Sequence, residues 1–202
     1  MNRQEKSKLK GELLNLEIQT RRKENINKEL IDFGWVIKIT IITFFISLSL
    51  SALAEGSIPN VPIIGGIFLV ILFIVVGVLF DIIGVAVTVS DEKVFHSMAS
   101  RKVKGAKLAV KFKKSTEKVS SFCNDVIGDI CGVISGTAGA TIAISISSKL
   151  NVDVFLTSLL VTSTIAALTI GGKAIGKSYA INKSNIILFK FSKFISNFYN
   201  IK

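Results

Sequence analysis

Residues 122–140, FCNDVIGDICGVISGTAGA, decide how this chain is organised. The stretch is apolar enough to enter a bilayer, and small residues recur in it at every fourth position. These residues are Gly128, Gly132, Gly136 and Ala140. Because four residues are close to one turn of an α-helix, the four positions form a single groove. Small-residue grooves let two helix backbones approach closely in lipid, so we predict a helix-packing face here and a homodimer formed through it.

Three polar side chains lie near the start of the same stretch, Asn124, Asp125 and Asp129. The two carboxylates are one helical turn apart, on the strip beside the groove. A carboxylate is costly at membrane depth, so one that is present there usually faces a partner, a cavity or an ion.

Composition points to a small polytopic membrane protein. The 202 residues are 50% hydrophobic, with a mean hydropathy of +0.57, which is too apolar for an ordinary soluble domain. The formal charge is +11, but the lysines alternate with apolar spans, so we predict no nucleic-acid partner. No nucleophile, general base and orienting group are grouped together, and we predict no enzyme activity.

The pattern predicts an all-α membrane bundle with four transmembrane helices and a cytosolic juxtamembrane helical hairpin. The predicted spans are about 33–54, 63–89, 121–147 and 154–176. They form a transmembrane domain over 33–180, preceded by a basic cytosolic arm at 1–32. The hairpin covers 90–120, and an interfacial amphipathic helix covers 181–202.

Basic residues set the predicted orientation. The arm, the hairpin and the C-terminal tail are rich in lysine, whereas the other two loops are nearly bare. Basic loops stay in the cytoplasm, so both termini are predicted to be cytoplasmic, and the protein is assigned to the plasma membrane.

Two amphipathic segments are predicted on the cytoplasmic side. Ser90, Asp91 and Glu92 are typical of a helix start, and Gly105 separates two short helices. The apolar positions of this hairpin are predicted to lie against the membrane, with an ordinary positive-inside loop as the alternative. They are Val94, Phe95, Met98, Ala109, Val110 and Phe112. The C-terminal stripe predicts a helix in the interface, through Ile187, Phe191, Phe194, Phe198 and Ile201.

Topology places several buried charges at one depth. Asp81 lies late in the second span, Asp129 early in the third and Lys173 at the end of the fourth. One hypothesis is a cation pocket for Mg²⁺ or Na⁺, with oxygen ligands from Asp81, Asn124, Asp129 and Ser135. The other is internal neutralisation, in which Lys173 pairs with Asp129 or Asp81 and nothing is bound. Lys173 could also reach the surface and take no part.

Three motifs between Val85 and Ala180 occur in the order seen in a known family. Gly105-Ala106-Lys107 follows a span, and Ile127-Gly128-Asp129, or else Asn124, opens the next span. Residues 172–180, GKAIGKSYA, stand where that family has Gly-Glu-x-x-Pro-Lys-x-x-Ala. In these features the chain resembles the transmembrane domain of the CNNM and CorB/CorC-type magnesium transporters.

The resemblance implies three core helices around a cytoplasmic-side hairpin, working as a homodimer that moves Mg²⁺, often coupled to Na⁺. The first span is then an added helix, and we expect the CBS regulatory pair of many members to be lacking. Lys173 replaces the family's acidic residue and Gly176 its proline, so a fixed ammonium could occupy the place of a cation. The predicted function is a divalent-cation transporter-like module. The alternative is a non-transporting scaffold or binding subunit whose pocket Lys173 neutralises.

Overall fold

The computed structural model describes residues 33–57 and 62–198, and the predicted arm at 1–32 lies outside them. The described residues form helices joined by short turns, with no strand among them. The elements are α1 (Phe33–Ser57), α2 (Ile63–Val89), α3 (Glu92–Ser100), α4 (Ala106–Lys114), α5 (Thr116–Ser121), a π-helical segment (Phe122–Gly128), α6 (Asp129–Leu150) and α7 (Val154–Phe198). The prediction of an all-α fold is confirmed.

Among the described residues, four helices are long and apolar enough to cross a membrane, which makes this a multi-pass membrane protein. They cover Phe33–Ala54, Ile63–Val89, Thr116–Leu150 and Val154–Asn197. The third begins earlier than the predicted span because α5, the π-helical segment and α6 run on without a break. The fourth continues into the predicted C-terminal helix, and only Lys183 departs from helical geometry, with φ −124° and ψ 23°.

The chain forms two compact units, residues 1–45 and 46–202. Of the first unit the structure describes residues 33–45, which belong to α1. The second unit contains α2 to α7, and with them every residue of the predicted cation pocket.

Three long helices of the second unit, α2, α6 and α7, pack against one another. Glycines set several of the contacts, because a missing side chain brings the neighbouring helix closer. A Cβ atom on Gly66 would lie 3.1 Å from the Ile142 side chain, and one on Gly139 would collide with Ile165. The bundle is therefore tightly packed at these two glycines.

The hairpin of α3 and α4 packs on the end of α2 and on the second half of α7. Its core consists of Val87, Phe95, Ala109 and Leu188, all fully buried. The Phe112 and Phe191 rings lie 5.8 Å apart beside it. The apolar positions predicted to face the membrane thus include two, Phe95 and Ala109, that pack inside the protein.

Polar contacts fix the hairpin in place. Asp91 accepts a hydrogen bond from the backbone N–H of Lys93 and begins α3, as the acidic start predicts. The backbone N–H of Asp91 donates to Asn185 Oδ1 of α7 at 2.9 Å. Lys113 Nζ donates to the carbonyl oxygens of Val87 and Thr88 at 3.0 and 2.8 Å. The last carbonyls of α2 therefore receive the charged donor that a helix C-terminus favours.

Candidate cation site

The predicted charged residues do share one depth. We call the end of the bundle where α6 and α7 are joined the loop side, and the opposite end the hairpin side. Asp81 lies 18 residues after the first residue of α2, and Lys173 lies 19 residues after the first residue of α7. Asp129 lies 21 residues before the last residue of α6. Each count is measured from the loop-side end of the helix. At about 1.5 Å per residue, these counts correspond to about 27–32 Å. Because the hydrocarbon layer is about 30 Å thick, a layer that begins at the loop-side helix ends has its other boundary near these three groups.

Asp81 is buried and lacks a partner. Its side chain is 3% exposed, and its Oδ2 atom has no hydrogen-bond donor. Gly77 and Gly84 lie one turn before and after it on the same face of α2. A Cβ atom on Gly77 would lie 3.0 Å from Cys131 Cβ and 3.4 Å from the Gly128 carbonyl oxygen. Asp81 is therefore enclosed where α2 crosses the π-helical segment and α6.

Asn124 faces the same crossing from the π-helical segment. Its amide group occupies the space that a side chain at Gly84 would need. Asn124 Oδ1 is buried and, like Asp81 Oδ2, has no hydrogen-bond partner. An ionised carboxylate oxygen and an amide oxygen both accept hydrogen bonds, so neither can satisfy the other. A donor or a cation is the chemical group that this interface lacks.

Asp129 is turned the other way and pairs with Lys173. Lys173 Nζ donates to Asp129 Oδ1 at 3.2 Å, with the lysine side chain 20% exposed and the aspartate side chain 70% exposed. The same ammonium lies 3.5 Å from the position that a Cβ atom on Gly128 would take. Of the two pairings predicted for Lys173, the structure contains the one with Asp129.

Ser135 is fully buried, but its hydroxyl is already in use. Ser135 Oγ donates to the carbonyl oxygen of Cys131, one turn back, at 2.7 Å. Among the described residues, no group of three or more histidine, cysteine, aspartate or glutamate side chains comes together. The structure brings Asn124 to the face of α2 that carries Asp81, and it places Asp129 and Ser135 elsewhere. The four-ligand pocket stays a prediction.

The small-residue groove is occupied at one end and open further along. Gly128 and Gly77 approach closely at the crossing of α2 and the π-helical segment. Nothing in the described chain lies within 4 Å of a Cβ atom placed on Gly132 or Gly136, and Ala140 is half-buried. The middle of the groove is thus free for a neighbouring helix.

Sequence reasoning missed the π-helical segment, and no residue pattern in it signals the wider turn. A π-helical turn changes the rotation of every later residue in the helix. The segment therefore decides that Asn124 meets α2 while Asp129 faces outward.

Comparison of the chain with protein-family models, with curated proteins and with solved structures found no match. The likeness to the magnesium transporter family therefore rests on the motifs alone.

Proposed function

We propose that this membrane protein binds a hard cation with Asp81 and Asn124 and handles it as cargo, in the manner of a divalent-cation transporter module. One observation carries the proposal: a carboxylate that is 3% exposed has no partner and lies at an interface with a second unpartnered oxygen. An ionised carboxylate is expensive to bury unless something compensates its charge. Lys173, the nearest candidate by depth, is held by Asp129.

The chemistry of the two oxygens favours Mg²⁺, with Na⁺ as the second choice. Carboxylate and amide oxygens are hard ligands, which both ions prefer. Mg²⁺ commonly keeps several of its waters and takes only one or two carboxylates from the protein. A site with one carboxylate and one amide oxygen therefore fits a partly hydrated Mg²⁺ better than an ion whose ligands must all come from the protein.

The test is thermal unfolding of the purified protein in detergent, with MgCl₂ or NaCl added at constant ionic strength. Wild-type protein is expected to gain about 2.7 kcal/mol when the ion is at 100 times its Kd. Asp81→Asn is expected to abolish this gain because it removes the buried charge. Asp125→Asn removes an exposed carboxylate from the neighbouring segment and is expected to leave the gain intact. A gain that survives in Asp81→Asn would show that the ion binds elsewhere.

The Lys173–Asp129 ion pair favours a second candidate, a non-transporting scaffold or binding subunit. In that case Lys173, paired with Asp129, neutralises the charge of the pocket, and no ion binds. The same titration distinguishes the two candidates, because a scaffold of this kind shows no stabilisation by either ion in the wild-type protein.

The proposal includes an orientation and an assembly. The hairpin side carries most of the lysines of the second unit, which supports a cytoplasmic hairpin, both termini in the cytoplasm and a location in the plasma membrane. The open positions at Gly132 and Gly136 support a homodimer through α6. The mass of the protein in detergent and in lipid nanodiscs is expected to equal two chains, and a single-chain mass in both would contradict the dimer.

A further inference from the structure

The outer face of α4 carries a row of lysines. Lys107, Lys111 and Lys114 are all exposed, and their spacing of four and three residues places them on one side of the helix. The opposite side of α4 is buried through Ala106 and Ala109. The fold therefore presents these three ammonium groups outward from a helix that cannot rotate about its axis.

Contacts with α2 fix how far this row lies from the hydrocarbon. Lys113, within the same helix, donates to the carbonyl oxygens of Val87 and Thr88. Val87 lies six residues beyond Asp81 on α2, so it is about 9 Å further toward the hairpin side. For a hydrocarbon layer whose boundary is near Asp81, with headgroups about 5–7 Å thick, Val87 lies just outside the headgroups, and a flexible lysine side chain beside it can reach them.

Charge around the row has one dominant sign. Residues 90–121 contain nine lysine or arginine residues and three acidic residues, a difference of +6. The acidic residues are Asp91, Glu92 and Glu117, and Asp91 is engaged at the start of α3. A folded basic surface next to the headgroups attracts the anionic lipids of the adjoining leaflet.

We infer that the face of α4 formed by Lys107, Lys111 and Lys114 binds the phosphate groups of anionic phospholipids in the leaflet on the hairpin side. The aromatic residue of α4 does not accompany the row, since Phe112 packs on Phe191. The face therefore offers charge without a stacking surface, which suits lipid phosphates better than single-stranded nucleic acid. This inference does not depend on whether Asp81 binds a cation.

The experiment adds short-chain phosphatidylglycerol or phosphatidylcholine of equal chain length to detergent-purified protein. Thermal unfolding and the number of lipids retained in native mass spectrometry are measured. Wild-type protein is expected to bind phosphatidylglycerol in clear preference to phosphatidylcholine. The triple variant Lys107→Gln, Lys111→Gln, Lys114→Gln is expected to bind it on the order of tenfold or more weaker.

A matched control removes the same charge from another part of the hairpin, with Lys93→Gln, Arg101→Gln and Lys102→Gln. All three residues are exposed, and this variant is expected to keep most of the phosphatidylglycerol affinity. Equal losses in the two triple variants would overturn the inference in favour of diffuse charge. Equal binding of the two lipids would also overturn the inference. The same holds if inorganic phosphate, an RNA oligonucleotide or an acidic peptide stabilises the protein as much as phosphatidylglycerol does.

Discussion

Gly105→Ala is expected to destabilise the hairpin by at least about 2 kcal/mol, because two costs coincide. Gly105 has φ +90°, a region that residues with a Cβ atom rarely adopt. The added Cβ atom would also lie 2.8 Å from Lys193 Cα of α7. Backbone cannot rotate away as a side chain can, so α4 must separate from α7. Thermal unfolding and the rate of proteolysis within 90–121 measure the effect.

Gly171→Ala is the matched control for this substitution. Gly171 lies within α7, and nothing lies within 4 Å of its Cβ position. Alanine is the better helix former, so this variant is expected to be unchanged or more stable by up to about 1 kcal/mol. If both variants unfold like the wild-type protein, the hairpin does not rest on α7 in the way described.

Phe95→Ala is expected to cost about 3–5 kcal/mol, the usual range for a large side chain removed from a closed core. Phe95 is fully buried among Val87, Ala109 and Leu188, which come from three different helices. The cavity would therefore loosen α2, α4 and α7 together. Denaturant unfolding followed with a fluorophore on the hairpin measures this change.

Val94→Ala supplies the comparison for Phe95→Ala. Val94 precedes Phe95 in α3 but is 36% exposed, so its loss is expected to cost less than about 1 kcal/mol. A phenylalanine variant as stable as the valine variant would mean that the hairpin apolar face lies in lipid, as the sequence alone suggests, and not against α7.

Hydropathy and charge were sufficient to predict the four long helices and the helical hairpin, and residue counting predicts a common depth for Asp81, Asp129 and Lys173. Depth follows from counting residues along apolar helices, and counting is reliable when each residue adds a fixed rise. Rotation about the helix axis does not follow in this way. The rotation of each helix depends on packing and on the π-helical segment. The sequence therefore does not show that Asp129 faces outward, and it leaves the pairing of Lys173 with Asp129 as one of several possible arrangements of that lysine.

The C-terminal helix illustrates a second limit. Its aromatic residues predict a membrane-facing stripe, and Phe194 is exposed as that stripe requires, but Phe191 packs on Phe112. The buried stripe of the helix consists of Ala180, Ser184, Leu188 and Ser192. Small residues at four-residue spacing carry little hydrophobic signal, although they permit close contact with the hairpin. Phe198 and Ile201 of the predicted stripe lie outside the side chains that the structure describes.

Lys183, the one non-helical residue of α7, forms a kink between the two halves of this helix. Lys183 stands ten residues beyond Lys173 and five before Leu188, between the membrane-crossing half of the helix and the half that is docked on the hairpin. Helices change their tilt when a bilayer thickens or thins. Lys183 marks a kink in α7, where the helix axis can change direction, so we expect the hairpin to stay packed on the second half of α7 while the tilt of the first half follows the bilayer thickness.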